Sequence, residues 1–258
     1  MDLIAEKKFE ITGTGIKALA ATTMLIDHIG AGLLLYWLRQ QTTYTGQIAQ
    51  LETLYWTMRR IGRMAFPLYC YMLVEGYLHT KDLKKYVLRI LAMGLISEVP
   101  FDLALKWKLV DWAHNNVMWE LSLGLTVLLL MDTVLYKLED VISDYQVRRM
   151  LRVAVMLLGM LIGHLTRFDY SAGGIACISV MYFLYGDTKE QRLMSYAAGV
   201  LMLALMCGEI EVFAFAMLIP IYFYEGHRGR DSKALRVFFY IFYPAHLTAI
   251  YLVRLLFL

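Results

Sequence analysis

An all-α bundle of about nine transmembrane helices is the fold class this sequence predicts, and three observations predict it. Hydrophobic residues fill 59% of the 258 positions and mean hydropathy is +0.53, too apolar for a soluble domain. Apolar runs approaching the roughly 20 residues needed to cross about 30 Å of hydrocarbon recur along the chain. Lys and Arg gather between those runs, seventeen on the side of the N-terminus against eight on the other, which puts the N-terminus in the cytoplasm.

Residues 1–15 are polar and mixed in charge and read as a cytoplasmic tail, without the small-residue cleavage site of a signal peptide. Residues 16–258 read as one bundle, because no polar stretch is long enough for a second domain. The first span, 16–37, is the run IKALAATTMLIDHIGAGLLLYW, and a loop over 40–58 leads to the second at 60–78. A short basic turn separates that from the third, 86–105. The fourth, 117–136, is the most uniformly apolar. Spans at 151–167, 172–186, 193–207 and 210–224 follow, several of them short enough to require bilayer thinning or close packing. The last, 236–258, carries Pro244.

Ionisable residues inside such spans are functional candidates by default. The ladder of spans puts Asp27, His28 and His246 near mid-membrane. It puts Arg59, Arg63, Glu98, Asp102, Asn115, Asn116, Glu120, His164 and Arg167 in the outer half, and Glu75 and His79 near the basic inner turn of Lys81, Lys84, Lys85 and Arg89. Arg59 and Arg63 share one helix face, as do Glu98 and Asp102. The two pairs are expected to meet, either as a site or as a staple between helices.

Asp27 and His28 are neighbours, about 100° apart on a helix, so Asp27 either orients the imidazole or reaches another helix. A histidine with a carboxylate beside it and a second histidine at the same depth suits general-base work; the alternative is a structural hydrogen bond between helices. Pro244 bends the last span and can aim His246 or Tyr243 into a cavity. Asn116 reads as a helix cap or an oxyanion donor. RFDYSAGGIACI, Arg167 to Ile178, is a close-packing turn or an anion-receptive helix start, and Gly159 to Gly163 is a packing run.

Cys70, Cys177 and Cys207 lie in apolar runs without metal or redox spacing, so neither a disulfide framework nor a metal site is implied. Protease, nucleotide-hydrolase and dinucleotide motifs are missing from the sequence, and the dispersed basic residues do not point to nucleic acid.

Several stretches resemble the TraX family of membrane proteins: Lys17 with MLIDHIG at Met24, RRIGRMAFPLYCYMLVEGYLHT at Arg59, KKYVLRIL at Lys84, ISEVPFDLAL at Ile96, NNVMWELSLG at Asn115 and FYPAHL at Phe242. The likeness is close over the first four spans and the last, and loose from about Tyr136 to Glu225. It implies acetylation of the N-terminal amine of an F-type pilin with acetyl-CoA as donor, in the bacterial inner membrane. The expectation is a multi-pass acetyltransferase acylating an amine or hydroxyl: a pilin or other protein N-terminus, a glycan or a small amine. His28 is the base, assisted by Asp27 and His246. Asn116 or Tyr243 donates to the oxyanion, and Arg59, Arg63, Glu98 and Asp102 shape the acceptor vestibule. Lys81, Lys84, Lys85 and Arg89 receive the phosphates of acetyl-CoA. The alternative is a proton-coupled small-molecule transporter using Asp27, His28, Glu75 and His246. A haem held between His28 and His246 or His164 is a third reading.

Overall fold

The computed structural model describes residues 9–42, 45–230 and 232–257, and all regular structure among them is helical. Most of the expected tail, residues 1–8, lies outside the described residues. Helix α1, Gly13–Arg39, starts where the Thr12 hydroxyl accepts the Gly15 amide at 3.3 Å, and passes through a π-turn at Gly30–Leu34. Ile11 and Gly13 bond back to the carbonyls of Phe223 and His227, which ties the start of α1 to the far end of the chain.

Helix α2, Gly46–Gly62, occupies most of the stretch expected to be a loop. Its sequence, GQIAQLETLYWTMRRIG, is too polar on average to register as a span, yet Thr45 caps it, and Ile48 and Gly62 are its buried positions. Helix α3, Ala65–His79, follows after the break at Arg63–Met64. Helix α4, Leu83–Phe101, is capped by Asp82, carries Pro100, and continues as a π-turn, Asp102–Lys106, that ends at left-handed Trp107.

Asn116 caps α5, Val117–Lys137, and Asp144 caps α6, Tyr145–Leu165. Helix α7 is Ser171–Leu184. Helix α8, Lys189–Cys207, opens on a reciprocal cap between Thr188 and Gln191. The expected eighth span is instead a 3₁₀ segment, Glu209–Met217, running into the short α9, Leu218–Tyr222. Helix α10, Lys233–Phe257, closes the chain.

The main core lies among α1, α3, α5, α7 and α8, filled by side chains such as Leu68, Tyr71, Leu125, Ile178, Tyr196 and Val200. A second cluster of Met24, Phe101, Tyr243, Leu247 and Ile250 joins α1, α4 and α10. The Gly159–Gly163 run acts as packing: a Cβ at Gly159 would sit 2.4 Å from Val127 of α5, and one at Gly163 would sit 2.9 Å from the Ser171 carbonyl of α7. Helices α1, α5 and α10 are long and apolar enough to cross a membrane. Helices α6 and α10 turn large apolar side chains outward, Leu157, Leu158 and Leu161 on one, Phe238, Ile241 and Leu252 on the other, as expected of a membrane protein.

At the far end of α10, buried Arg254 donates to the carbonyls of Ala104 at 3.0 Å and Leu103 at 2.6 Å, among the rings of Tyr36, Trp107 and Tyr251. Those carbonyls belong to the π-turn that ends α4 and would otherwise lack full hydrogen bonding in an apolar setting.

Candidate functional site

Asp27 and His28 lie in the last two turns of the α-helical part of α1, and their side chains part company. His28 turns to α10. Its Nδ1 is 2.7 Å from His246 Nε2, with the two rings nearly parallel, and His246 Nδ1 is 2.6 Å from the Phe242 carbonyl one turn earlier. A carbonyl only accepts, so His246 Nδ1 carries the proton and its Nε2, in the neutral ring, accepts from His28 Nδ1–H. His28 Nε2 is left with a lone pair, and it makes no hydrogen bond among the described residues. Tyr243 stands beside both imidazoles, ring centroids 6.1 and 5.8 Å away, and its buried hydroxyl donates to no acceptor among the described residues.

Asp27 turns the other way, to α2. Its carboxylate accepts from Arg59 at 2.6 Å and from Arg63 at 3.2 Å, and Arg63 also reaches Glu211 of the 3₁₀ segment at 3.2 Å. The approach depends on Gly62: a Cβ there would meet Asp27 Oδ1 at 2.0 Å. The Arg63 guanidinium also lies 5.8 Å from the ring of Tyr170, which stacks on Phe66. Two guanidiniums and two carboxylates thus neutralise one another where α1, α2, the 3₁₀ segment and the α6–α7 turn meet.

This arrangement corrects two expectations. Arg59 and Arg63 do not pair with Glu98 and Asp102, because α2 packs along α1 and presents its arginine face to Asp27. Asp27 does not orient His28; His246 does. Glu98 instead accepts the Trp119 indole N–H at 2.6 Å and the Asn116 side-chain amide, while Asp102, fully buried, accepts the Asp111 amide at 2.7 Å. Asn116 is a cap: its oxygen takes the Met118 amide at 2.9 Å and its nitrogen is spent on Glu98 and the Gly94 carbonyl. It has no donor left for an oxyanion, whereas Tyr243 does.

Lys81, Lys84, Lys85 and Arg89 are exposed around the first turns of α4. Lys85 is committed to Asp82, its ammonium at 2.9 Å, and its amide, more than its charge, holds the Asp82 carboxyl below the usual carboxylate range. Lys84 lies about 20 Å along α4 from Glu98, at a rise of 1.5 Å per residue. Sequence reasoning missed Glu211 and Gly62. An acid inside the apolar run of 210–224 was the signal for the first; nothing in the sequence marks the second.

The sequence model of the family described as TraX protein matches residues 12–254. A relative named probable fimbrial assembly protein FimC, serogroup H1, from Dichelobacter nodosus is 24% identical over 215 residues, covering 75% of this chain and 81% of that protein. No solved structure matches. With the family match running over nearly the whole helical bundle, including the paired histidines and the Asp27–arginine network, the chain belongs to the TraX family.

Proposed function

We propose that this protein is an acetyltransferase of the bacterial inner membrane. In this reading it is multi-pass with a cytoplasmic N-terminus and uses acetyl-CoA to acylate an amine or hydroxyl at or across the membrane. The observation that carries the reading is the relay from the Phe242 carbonyl through His246 to His28, which leaves His28 Nε2 as a base with its tautomer set. Support also comes from the TraX family, whose likeness implies pilin acetylation, and from a relative named for fimbrial assembly, which favours a pilin-like N-terminal amine as acceptor.

When bound, acetyl-CoA supplies an acyl thioester. His28 Nε2 takes the proton of the attacking amine or hydroxyl and later returns it to the departing thiolate. The positive charge that forms on His28 is shared along the Nδ1–H···Nε2 bond with His246 and stabilised by the Phe242 carbonyl. An α-amine with a pKa of about 7.7–8.0 suits a histidine base. Tyr243 holds a hydroxyl proton for the developing oxyanion. The exposed cations of Lys81, Lys84 and Arg89 fit a cytoplasmic polyanion, with Lys85 partly neutralised by Asp82. Asp27, Arg59, Arg63 and Glu211 hold α1 against α2 and so fix the bearing of His28.

Calorimetric titration of the purified protein with acetyl-CoA and with free CoA tests the donor half of this reading. Saturable binding that weakens in Lys81→Glu/Lys84→Glu is expected. Failure to bind in a protein that stays folded would favour proton-coupled transport through His28 and His246, which counterflow in proteoliposomes without CoA would then reveal.

A further inference from the structure

A second group of reactive side chains lies at the junction of α6, α7 and α8, apart from the histidine relay. A cleft of about 340 Å³ is lined there by His164, Asp169, Ser171, Gly173, Met206 and Cys207. In it, His164 Nδ1 and Ser171 Oγ are 3.2 Å apart, within reach of proton transfer.

The turn that joins them is held in an unusual shape. Arg167 and Ser171 both have left-handed backbones, φ 55° and 56°, which a side chain with a Cβ resists. Such strain persists only when the surroundings enforce it, and here they do. The Tyr170 amide is bound at 2.8 Å by the fully buried carboxylate of Glu120, and the Tyr170 ring is stacked on Phe66. Asn115 grips the turn from outside, donating its side-chain amide to the Thr166 carbonyl at 2.7 Å and its backbone amide to the Arg167 carbonyl at 3.1 Å. Gly163 lets α7 approach closely enough for the two side chains to meet. A serine on an enforced turn at the start of a 14-residue helix, with a histidine at hydrogen-bond distance and an open cleft before it, is the arrangement of an activated nucleophile.

We propose that Ser171 is a nucleophile activated by His164 and that this cleft takes the acyl group of an ester or thioester. Ser171 Oγ bonds to the carbonyl carbon as its proton passes to His164 Nδ1. The bond from that carbon to the leaving oxygen or sulfur breaks, and the leaving group takes the proton from His164. Water or an amine then attacks the seryl ester, and its proton returns through His164 to Ser171 Oγ. The amides of Ala172 and Gly173, in the first turn of α7 beside the cleft, make no hydrogen bond among the described residues and are available to the oxyanion. None of this rests on acetyl-CoA or on His28.

The test is labelling of the purified full-length protein with a fluorophosphonate probe, without CoA, read by mass spectrometry of the peptide that contains residue 171. Label on Ser171 is expected, formed at least about 100-fold more slowly in His164→Gln, the usual contribution of a general base. Ser171→Gly, which suits a left-handed backbone, should keep the wild-type unfolding temperature and take no label there. An unlabelled Ser171 in folded wild-type protein, labelling confined to other residues, or an unchanged rate in His164→Gln would overturn the proposal. Because no CoA is present, the result stands whether or not the protein binds acetyl-CoA.

Discussion

Adding one methyl group at residue 62 is expected to destabilise the protein, although helix propensity argues the opposite. In a helix, alanine is favoured over glycine by about 1 kcal/mol. At Gly62, however, a Cβ would meet Asp27 Oδ1 at 2.0 Å and Asp27 Cβ and Cγ at 2.3 Å, distances no side-chain adjustment short of moving α1 can absorb. Overpacking of this kind costs about 1–3 kcal/mol. Loosening a buried charge network adds to that, up to about 3–5 kcal/mol if a partner is lost outright. Overpacking less the gain of about 1 kcal/mol leaves a loss of about 0–2 kcal/mol, and partial loosening of the network, about 2 kcal/mol of its full cost, brings the expected loss to about 2–4 kcal/mol. For a chain of this size that lowers the unfolding temperature by about 4–16 °C. Gly46→Ala is the control: it lies on the same helix with nothing within 4 Å of the added Cβ, and it should be neutral or slightly stabilising. The assay is thermal unfolding in one detergent for both variants. Equal shifts at the two positions, or a stabilised Gly62→Ala, would refute the close approach of α2 to Asp27.

Asp27→Asn removes the carboxylate that pairs with both Arg59 and Arg63, leaving only Arg63 bonded to Glu211, and should cost about 3–5 kcal/mol, while Asp27→Asn combined with Arg59→Gln should recover part of that loss, as a double-mutant cycle on apparent stability would measure. Arg254→Leu strips the charged donors from the Ala104 and Leu103 carbonyls; at about 1.5–3 kcal/mol per bond to a charged group, it should lower the unfolding temperature and speed proteolysis in the 107–116 segment.

Hydrophobic run length gave the helices themselves. The run at 117–136 is α5 and the run at 236–258 is α10, because a segment with few charges over that length has little alternative to a helix in an apolar setting. Run length failed at α2, where LETLYWTMRR is amphipathic and leaves most of its polar face exposed. Missing that helix displaced the arginines. With 40–58 read as a loop, Arg59 and Arg63 fell to an outer edge beside Glu98 and Asp102, when α2 carries them along α1 to Asp27. His28 and His246, expected at one level, do meet, 2.7 Å apart. What no sequence pattern encodes is the direction of each side chain about its axis. That direction decides that Asn116 is consumed as a cap, that Tyr243 keeps its proton, and that Glu211 completes the arginine network from a segment lacking regular α-helical form.

The histidine relay is tested most directly by transfer of labelled acetyl groups from acetyl-CoA in membranes containing the wild-type protein, His28→Ala or His246→Ala, each variant first matched for insertion and unfolding temperature. The account predicts transfer above the level of membranes lacking the protein. It predicts a loss of about 10²–10⁴-fold in His28→Ala, the range of a general base, and a smaller loss in His246→Ala, which still leaves an imidazole at residue 28. Undiminished transfer in His28→Ala, or none in the wild-type membranes, would contradict it.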